Sequence, residues 1–289
     1  MGLGLGIMPR VKGVWYRWVG KPVRRKWQTR FHAKGKVALG EPLNVDGTPV
    51  AFPPDWIFVD WKGADYNIDL VKNPELPFGD HSQKIIYSAH LIEHIPEARL
   101  AILLRECARV LGPGGRIRIE CPDAEKLVAL YRKSDAHMLK YFGDFRREIV
   151  VGRSGFDEKY LEDHLSLLGE ISNYIIPGQN FHMPVYAHRQ EFEEKLDRLD
   201  LDQFAEWCFS LQTPEQRRSG GHQNVLYFSK LKRMLEEAGF VDVVAADFAV
   251  TTIPELRLNE GDPHSVRTKP HRRFYSLYVE ATKPLGAPL

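Results

Sequence analysis

The sequence predicts an α/β fold built on a mostly parallel sheet, and three observations predict it. Short apolar runs at Lys36–Gly40, Trp56–Asp60 and Lys84–Ser88 end in a glycine, a carboxylate and a serine. A long apolar stripe at helical spacing follows the third run. A glycine turn then leads into an alternating strand, and strand, helix, turn and strand in this order lay two strands side by side and parallel.

Lys36-Val37-Ala38-Leu39-Gly40 is the first expected strand and Trp56-Ile57-Phe58-Val59-Asp60 the second. Between them stand Pro42, Gly47, Pro49, Pro53 and Pro54, too many breakers for a crossover helix, so the first connection is irregular. Lys84-Ile85-Ile86-Tyr87-Ser88 is the third strand. Pro96 suits the first turn of a helix, where its missing N–H costs nothing. Leu100, Leu103, Leu104, Cys107 and Leu111 then line one helical face, and Gly112-Pro113 ends it. Gly114 and Gly115 turn the chain into Arg116–Cys121, an alternating strand closed by Pro122-Asp123.

Residues 134–221 differ in character, with apolar residues at helical spacing interrupted at Ile176-Pro177-Gly178 and Thr213-Pro214. Phe192, Leu196 and Leu199 predict an amphipathic helix over the sheet's ligand edge, so 134–221 reads as a helical insertion or lid. Its histidines His164, His182 and His188 are candidate acid–base groups, and their spacing fits no metal motif. Leu231, Met234, Leu235 and Ala238 make a last stripe ending at Gly239, followed by strand-like Phe240–Ala245 and Tyr275–Ala281.

With 43% hydrophobic and 27% charged residues, the 289-residue chain has the composition of a globular protein, which excludes collagen-like and wholly disordered classes. The three cysteines, Cys107, Cys121 and Cys208, include no CxxC pair, so neither a zinc knuckle nor a disulfide framework is expected, and a cytoplasmic location is. The net charge of +2 conceals an asymmetry: residues 1–36 hold ten Lys/Arg and no acidic residue. Trp15, Tyr16, Trp18, Trp27 and Phe31 are interleaved with these charges. A basic arm over 1–35 of this kind suits an anionic membrane at the inner face, nucleic-acid phosphates, or the acidic remainder of the chain itself. The glycine-rich Gly2–Gly6 is no nucleotide fingerprint, because no strand precedes it.

In parallel sheets ligands settle beyond the carboxyl ends of the strands, where Gly40, Asp60, Ser88 and Asp123 fall. Glycine permits close approach of backbone to a ligand, and a strand-terminal carboxylate can accept both hydroxyls of a ribose. A strand-terminal Asp is equally at home as a helix cap.

The combined string WIFVD at 56–60, Leu76-Pro77-Phe78, YSAHLIEHI at 87–95 and RVLGPGG at 109–115 resembles class I S-adenosylmethionine-dependent methyltransferases, most closely the type 11 group often found with surface-glycan genes. The resemblance covers about 36–133 and resumes at 222–285. It implies a Rossmann-like, doubly wound, mostly parallel sheet with an antiparallel last strand, and a core formed by 36–133 and 222–289. It implies S-adenosyl-L-methionine as cosubstrate, with Asp60 and the adjoining Trp61 at the ribose and Leu39, Gly40 and Glu41 beside the methionine moiety. Asp69 and Leu70 would lie near the adenine, and Ser88, Ala89 and His90 would face the sulfonium and the acceptor. The family's glycine-rich turn is replaced here by Leu39-Gly40-Glu41-Pro42. The expected reaction is transfer of a methyl group to an acceptor hydroxyl or similar nucleophile on a small molecule or surface glycan, with His90 as base and Asp123 and His222 in reserve. No metal is assigned. Alternatives are an RNA methyltransferase and a chain that has lost its donor site and acts in partner binding. His90-Leu-Ile-Glu-His94 also matches the HxxEH zinc-peptidase pattern, which needs both imidazoles on one helical face, and Pro96 leaves that helix barely two turns.

Overall fold

The computed structural model describes residues 35–40, 44–45, 48–49, 56–172, 184–218, 221–248, 250–256 and 270–286. The basic segment 1–34, Glu41, Pro42 and His182 lie outside the described residues.

The strands are β1 (Lys36–Gly40), β2 (Asn44–Val45), β3 (Thr48–Pro49), β4 (Trp56–Asp60), β5 (Tyr66–Asn67), β6 (Gln83–Ala89), β7 (Leu111–Pro122), β8 (Val241–Ala246) and β9 (Ser276–Thr282). The helices are α1 (Glu97–Val110), α2 (Ala124–Arg132), α3 (Ala136–Arg146), α4 (His164–Ser172), α5 (Arg189–Arg198), α6 (Leu201–Ser210), α7 (Pro214–Arg218) and α8 (Phe228–Glu237). Among the described residues seven strands form one sheet in the order β5-β4-β1-β6-β7-β9-β8, while β2 and β3 pair as a separate antiparallel hairpin. β1, β4, β5, β6 and β7 are parallel, and β9 runs against both β7 and β8. The sheet is therefore mostly parallel, as the sequence predicts, with the antiparallel last strand that the resemblance implies.

The chain runs from β1 outward to β4 and β5 and then returns to β6 on the other side of β1. This reversal makes the carboxyl ends of β1 and β6 a topological switch point, the place where open α/β sheets hold ligands. One face of the sheet carries the main core, in which Val37, Leu39, Val59, Ile86, Ile117 and Ile119 pack against the apolar stripes of α1 and α8. On the opposite face Trp56, Phe58, Ile85 and Tyr87 meet Ile253 and Leu256. Alternation along β7 explains the division, since Ile117, Ile119 and Cys121 point into the main core whereas Arg118 and Glu120 point to the second face.

The region 134–221 is helical in its described parts and has its own core, in which Phe142, Leu168, Phe192, Phe204 and Cys208 pack with Leu127 of α2. Phe192 and Leu196 lie buried on α5 as their spacing predicts, and Leu199 is its C-cap. His164 is a packing residue: it is buried and its Nε2 lies 2.9 Å from the Ala187 carbonyl. The largest departure from expectation is at the HxxEH string, where no α-helix forms. His90 has a left-handed φ of 45°, and only the single 3-10 turn Ile92–His94 separates it from Pro96. The two imidazoles of the motif thus never share a helical face.

Candidate functional site

Gly40, Asp60 and Ala89 end three neighbouring parallel strands at one edge. Leu39 pairs with Val59 on one side and with Ser88 on the other, and Gly40 pairs with Ala89. Gly40 has φ 87°, and a Cβ there would fall 2.7 Å from both the Ala89 carbonyl oxygen and Leu91 Cβ. Its bareness lets β1 end hard against the turn that follows β6. Asp60 is partly buried and its Oδ1 accepts the Trp61 N–H at 2.7 Å. Trp61 is exposed over 58% of its surface. Ser88 is buried, and its hydroxyl meets no hydrogen-bond partner among the described residues.

The other expected cofactor contacts divide. Asp69 sits in a turn, where it pairs with Lys72 at 2.8 Å and accepts that residue's N–H. Leu39, Leu70 and Ala89 are core residues, each 3% exposed or less. The expected reserve base Asp123 caps α2, accepting the Lys126 N–H at 3.2 Å. Burial pushes its carboxyl up from the usual aspartate range.

His90 begins a buried polar cluster just past the end of β6. Its Nδ1 lies 3.3 Å from Glu93 Oε1 and its Nε2 lies 3.6 Å from Glu120 Oε1 and 3.4 Å from Ser276 Oγ. Tyr87 Oη donates to Glu120 Oε2 at 2.7 Å, and the Arg272 guanidinium stands 3.8 Å from Glu120 Oε1. Burial and Arg272 oppose a positive charge on His90, but the contacts with Glu120 and Glu93 outweigh them and raise its pKa. Burial likewise opposes charge on Glu93 and Glu120, yet His90 holds both carboxyls down, Glu93 to about 2. The arrangement is a proton-accepting imidazole whose charged form is stabilised by two carboxylates.

His222 lies on the far side of Glu93. Its ring meets that of His94 edge-on at 4.8 Å, and its Nδ1 is 2.9 Å from the Glu170 carbonyl oxygen. Burial, then the neighbouring His94, push the ring down to about 3, and burial pushes the nearby Glu170 carboxyl up to about 7. Glu93, Glu170, His222 and Asn224 line one small cleft with Pro122 and Leu127. The fold thus gathers His90 and His222 around one carboxylate, and it leaves Asp123 as the N-cap of α2.

Sequence reading missed Glu93, Glu120, Glu170 and Arg272 as members of this cluster. Glu120 carried a signal in the polar phase of an alternating strand, but that phase ordinarily faces water. Arg272 sits beside Arg273, and nothing in the local sequence selects one over the other.

Residues 62–119 match the family model described as a methyltransferase domain. The match falls within the stretch whose motifs resemble the type 11 group, and that resemblance is met again in it. S-adenosylmethionine is the cosubstrate that the match supports. No curated protein matches the chain. Among solved structures the chain is similar to an S-adenosylmethionine-dependent methyltransferase from Archaeoglobus fulgidus, with 15% identity, 92% of this chain and 94% of that one covered, and a TM-score of 0.36. It is similar to one from Mesorhizobium loti, with 14% identity, 90% and 96% covered, and a TM-score of 0.36. It is also similar to a protein from Bordetella parapertussis described as a possible exported protein, with 15% identity, 98% and 76% covered, and a TM-score of 0.30.

Proposed function

We propose that this protein is an S-adenosylmethionine-dependent methyltransferase acting on a hydroxyl or similar nucleophile of a small-molecule or glycan acceptor. The observation that carries the reading is the convergence of Gly40, Asp60 and His90 at the switch-point edge of the sheet, with His90 inside the stretch that matches the family model. The residues present fit the cosubstrate. Asp60 brings a strand-terminal carboxylate suited to ribose hydroxyls, and Ser88 holds a buried hydroxyl without a partner among the described residues.

When bound, S-adenosylmethionine supplies an electrophilic methyl group on a positively charged sulfur. Asp60 and the end of β1 would bind and orient that molecule, so that rate comes chiefly from alignment of the two reactants. His90 would take the acceptor's proton, and Glu93 and Glu120 would stabilise the imidazolium that results. His90 would hold that proton until exchange with solvent restores the neutral base. The helices of 134–221 would cover the edge and exclude water. The basic segment 1–36 would hold the enzyme against an anionic surface at the inner face of the membrane, where a lipid-linked saccharide is within reach.

Calorimetric titration with S-adenosylmethionine and S-adenosylhomocysteine tests the donor site. Wild type is expected to bind both in the micromolar range, and Asp60→Ala to lose binding while keeping its thermal transition. Absence of binding to wild type would overturn the enzyme reading in favour of a partner-binding domain. With binding established, sedimentation with anionic vesicles against RNA of equal charge separates the glycolipid acceptor from an RNA one.

A further inference from the structure

The loop that carries His222 is fastened to the turn that carries Glu93 and His94. The backbone N–H groups of Gln223 and Asn224 both donate to the Glu93 carbonyl, at 2.9 and 3.1 Å, and Gln223 Nε2 donates to the His94 carbonyl at 3.1 Å. Gln212 Nε2 donates to the His222 carbonyl at 3.0 Å, which ties the same loop to the helical region. Three side chains are thereby fixed around one point, and the ligand atoms that Glu93, His94 and His222 offer all lie within 4.8 Å of one another.

Their polar atoms are poorly served by the protein. Glu93 is 2% exposed, and neither of its carboxylate oxygens receives a hydrogen bond among the described residues. His90 Nδ1 approaches Oε1 at 3.3 Å, within ion-pairing range, and His94 Nε2 stands 4.0 Å from the same oxygen. The buried Nδ1 of His94 has no hydrogen-bond partner either. Orphaned buried polar atoms are expensive, and Glu93 Oε2 and His94 Nδ1, on adjoining residues, call for a shared occupant. The His222 ring is arranged to receive one. With its Nδ1–H donating to the Glu170 carbonyl, the lone pair is left on Nε2, the pattern that orients metal-ligating histidines. His94 keeps 25% of its side-chain surface exposed, which gives an entry path.

We propose that Glu93, His94 and His222 form a binding site for a divalent first-row transition metal of the zinc class. Two imidazoles and one carboxylate match the ligand preferences of such ions and are not the all-oxygen set that magnesium or calcium takes. Ligand atoms on one tetrahedral ion stand ~3.3 Å apart at the usual bond lengths of ~2.0–2.1 Å. Closing the site from a spread of 4.8 Å to that spacing takes a contraction of ~1.5 Å, and at Glu93 Oε1 the metal would share the carboxylate with the 3.3 Å ion pair to His90 Nδ1. Three protein ligands leave a coordination position open towards the cleft lined by Glu170 and Asn224. The site needs only one of the HxxEH histidines and takes its second imidazole from a residue 128 positions further along the chain. It does not depend on the methyltransferase reading, because all three ligands would bind metal in the absence of any methyl donor.

The test uses the full chain stripped with chelator and no methyl donor. Zn²⁺ is titrated by calorimetry and Co²⁺ by its visible absorption, with Mg²⁺ as the hard-cation control. One equivalent of Zn²⁺ per chain is expected, with intense four-coordinate bands for Co²⁺ and no heat from Mg²⁺. Glu93→Gln, His94→Ala and His222→Ala are each expected to weaken Zn²⁺ binding by about tenfold or more. Circular dichroism checks the fold, and if a buried variant fails to fold, the more exposed His94→Ala decides. No saturable binding, or binding that His94→Ala leaves unchanged, would overturn the proposal. Donor affinity measured in the same samples keeps failure of this site separate from failure of the methyltransferase reading.

Discussion

Arg118 and Glu280 face each other across the antiparallel pair β7–β9, and Arg118 Nη1 donates to Glu280 Oε1 at 2.6 Å with both side chains almost wholly buried. Arg118 also donates to the carbonyls of Val250 and Asp247, at 3.0 and 2.8 Å, while Glu280 accepts the Thr252 N–H at 3.0 Å and the hydroxyl of Thr251. One ion pair thus holds the 247–252 segment onto the second face of the sheet, where Ile253 and Leu256 complete the packing. Glu280→Ala leaves a guanidinium buried without its counter-charge and is expected to cost about 3–5 kcal/mol, read by urea denaturation. Replacing both partners with apolar residues is expected to cost much less than the single change, because no charge is then stranded.

The same carboxylate predicts a pH dependence. Burial opposes its ionisation, but the bonds from Thr251, Thr252 and Arg118 outweigh burial and hold it below the ordinary glutamate range. A carboxyl whose folded pKa lies below its unfolded value of ~4.3 binds more protons when unfolded over the interval between the two. Its contribution to stability is complete above the unfolded pKa and is lost as pH falls through the folded one. Urea midpoints of wild type are therefore expected to drop between about pH 5 and pH 3 more steeply than those of Glu280→Gln. Parallel curves would assign the acid sensitivity to other carboxylates.

Gly40→Ala places a methyl group 2.7 Å from the Ala89 carbonyl oxygen and Leu91 Cβ, on a backbone with φ 87°. Both the strain and the collision act on the folded state, and a loss of about 1–3 kcal/mol is expected in thermal or urea unfolding. Since the displaced atoms end β6 at the switch point, donor affinity is expected to fall with stability. An alanine variant as stable as wild type would show that the end of β1 yields freely.

The strands that place the site were legible because each is buried on both faces and reads as a bounded apolar run: β1 and β4 have the limits that their residues predict. The site itself was legible in part. His90 follows from its position after β6, but the left-handed turn that breaks the HxxEH helix depends on contacts with Glu120 and Gly40 across the sheet. His222 enters as a candidate only through the resemblance, whereas its proximity to Glu93 comes from backbone bonds between segments 129 residues apart or more. Side chains such as Glu120 and Arg272, brought together by the covering of one sheet face, leave no periodic trace in the sequence.

Asp123 distinguishes a cap from a base. Its carboxylate accepts the Lys126 N–H at 3.2 Å as the N-cap of α2. Losing an aspartate cap costs about 1 kcal/mol, and asparagine retains the acceptor oxygen that serves the helix while removing the charge. Asp123→Ala is therefore expected to lower stability by about that amount, and Asp123→Asn to lose only a fraction of it. If the residue only caps, neither change alters turnover once the protein is held well below its melting temperature. A base at this position would behave otherwise, with Asp123→Asn folding like wild type and losing turnover about 100-fold or more. Under the capping role stability alone moves, and chiefly in Asp123→Ala, whereas under the base role kcat collapses in Asp123→Asn while its stability is nearly kept.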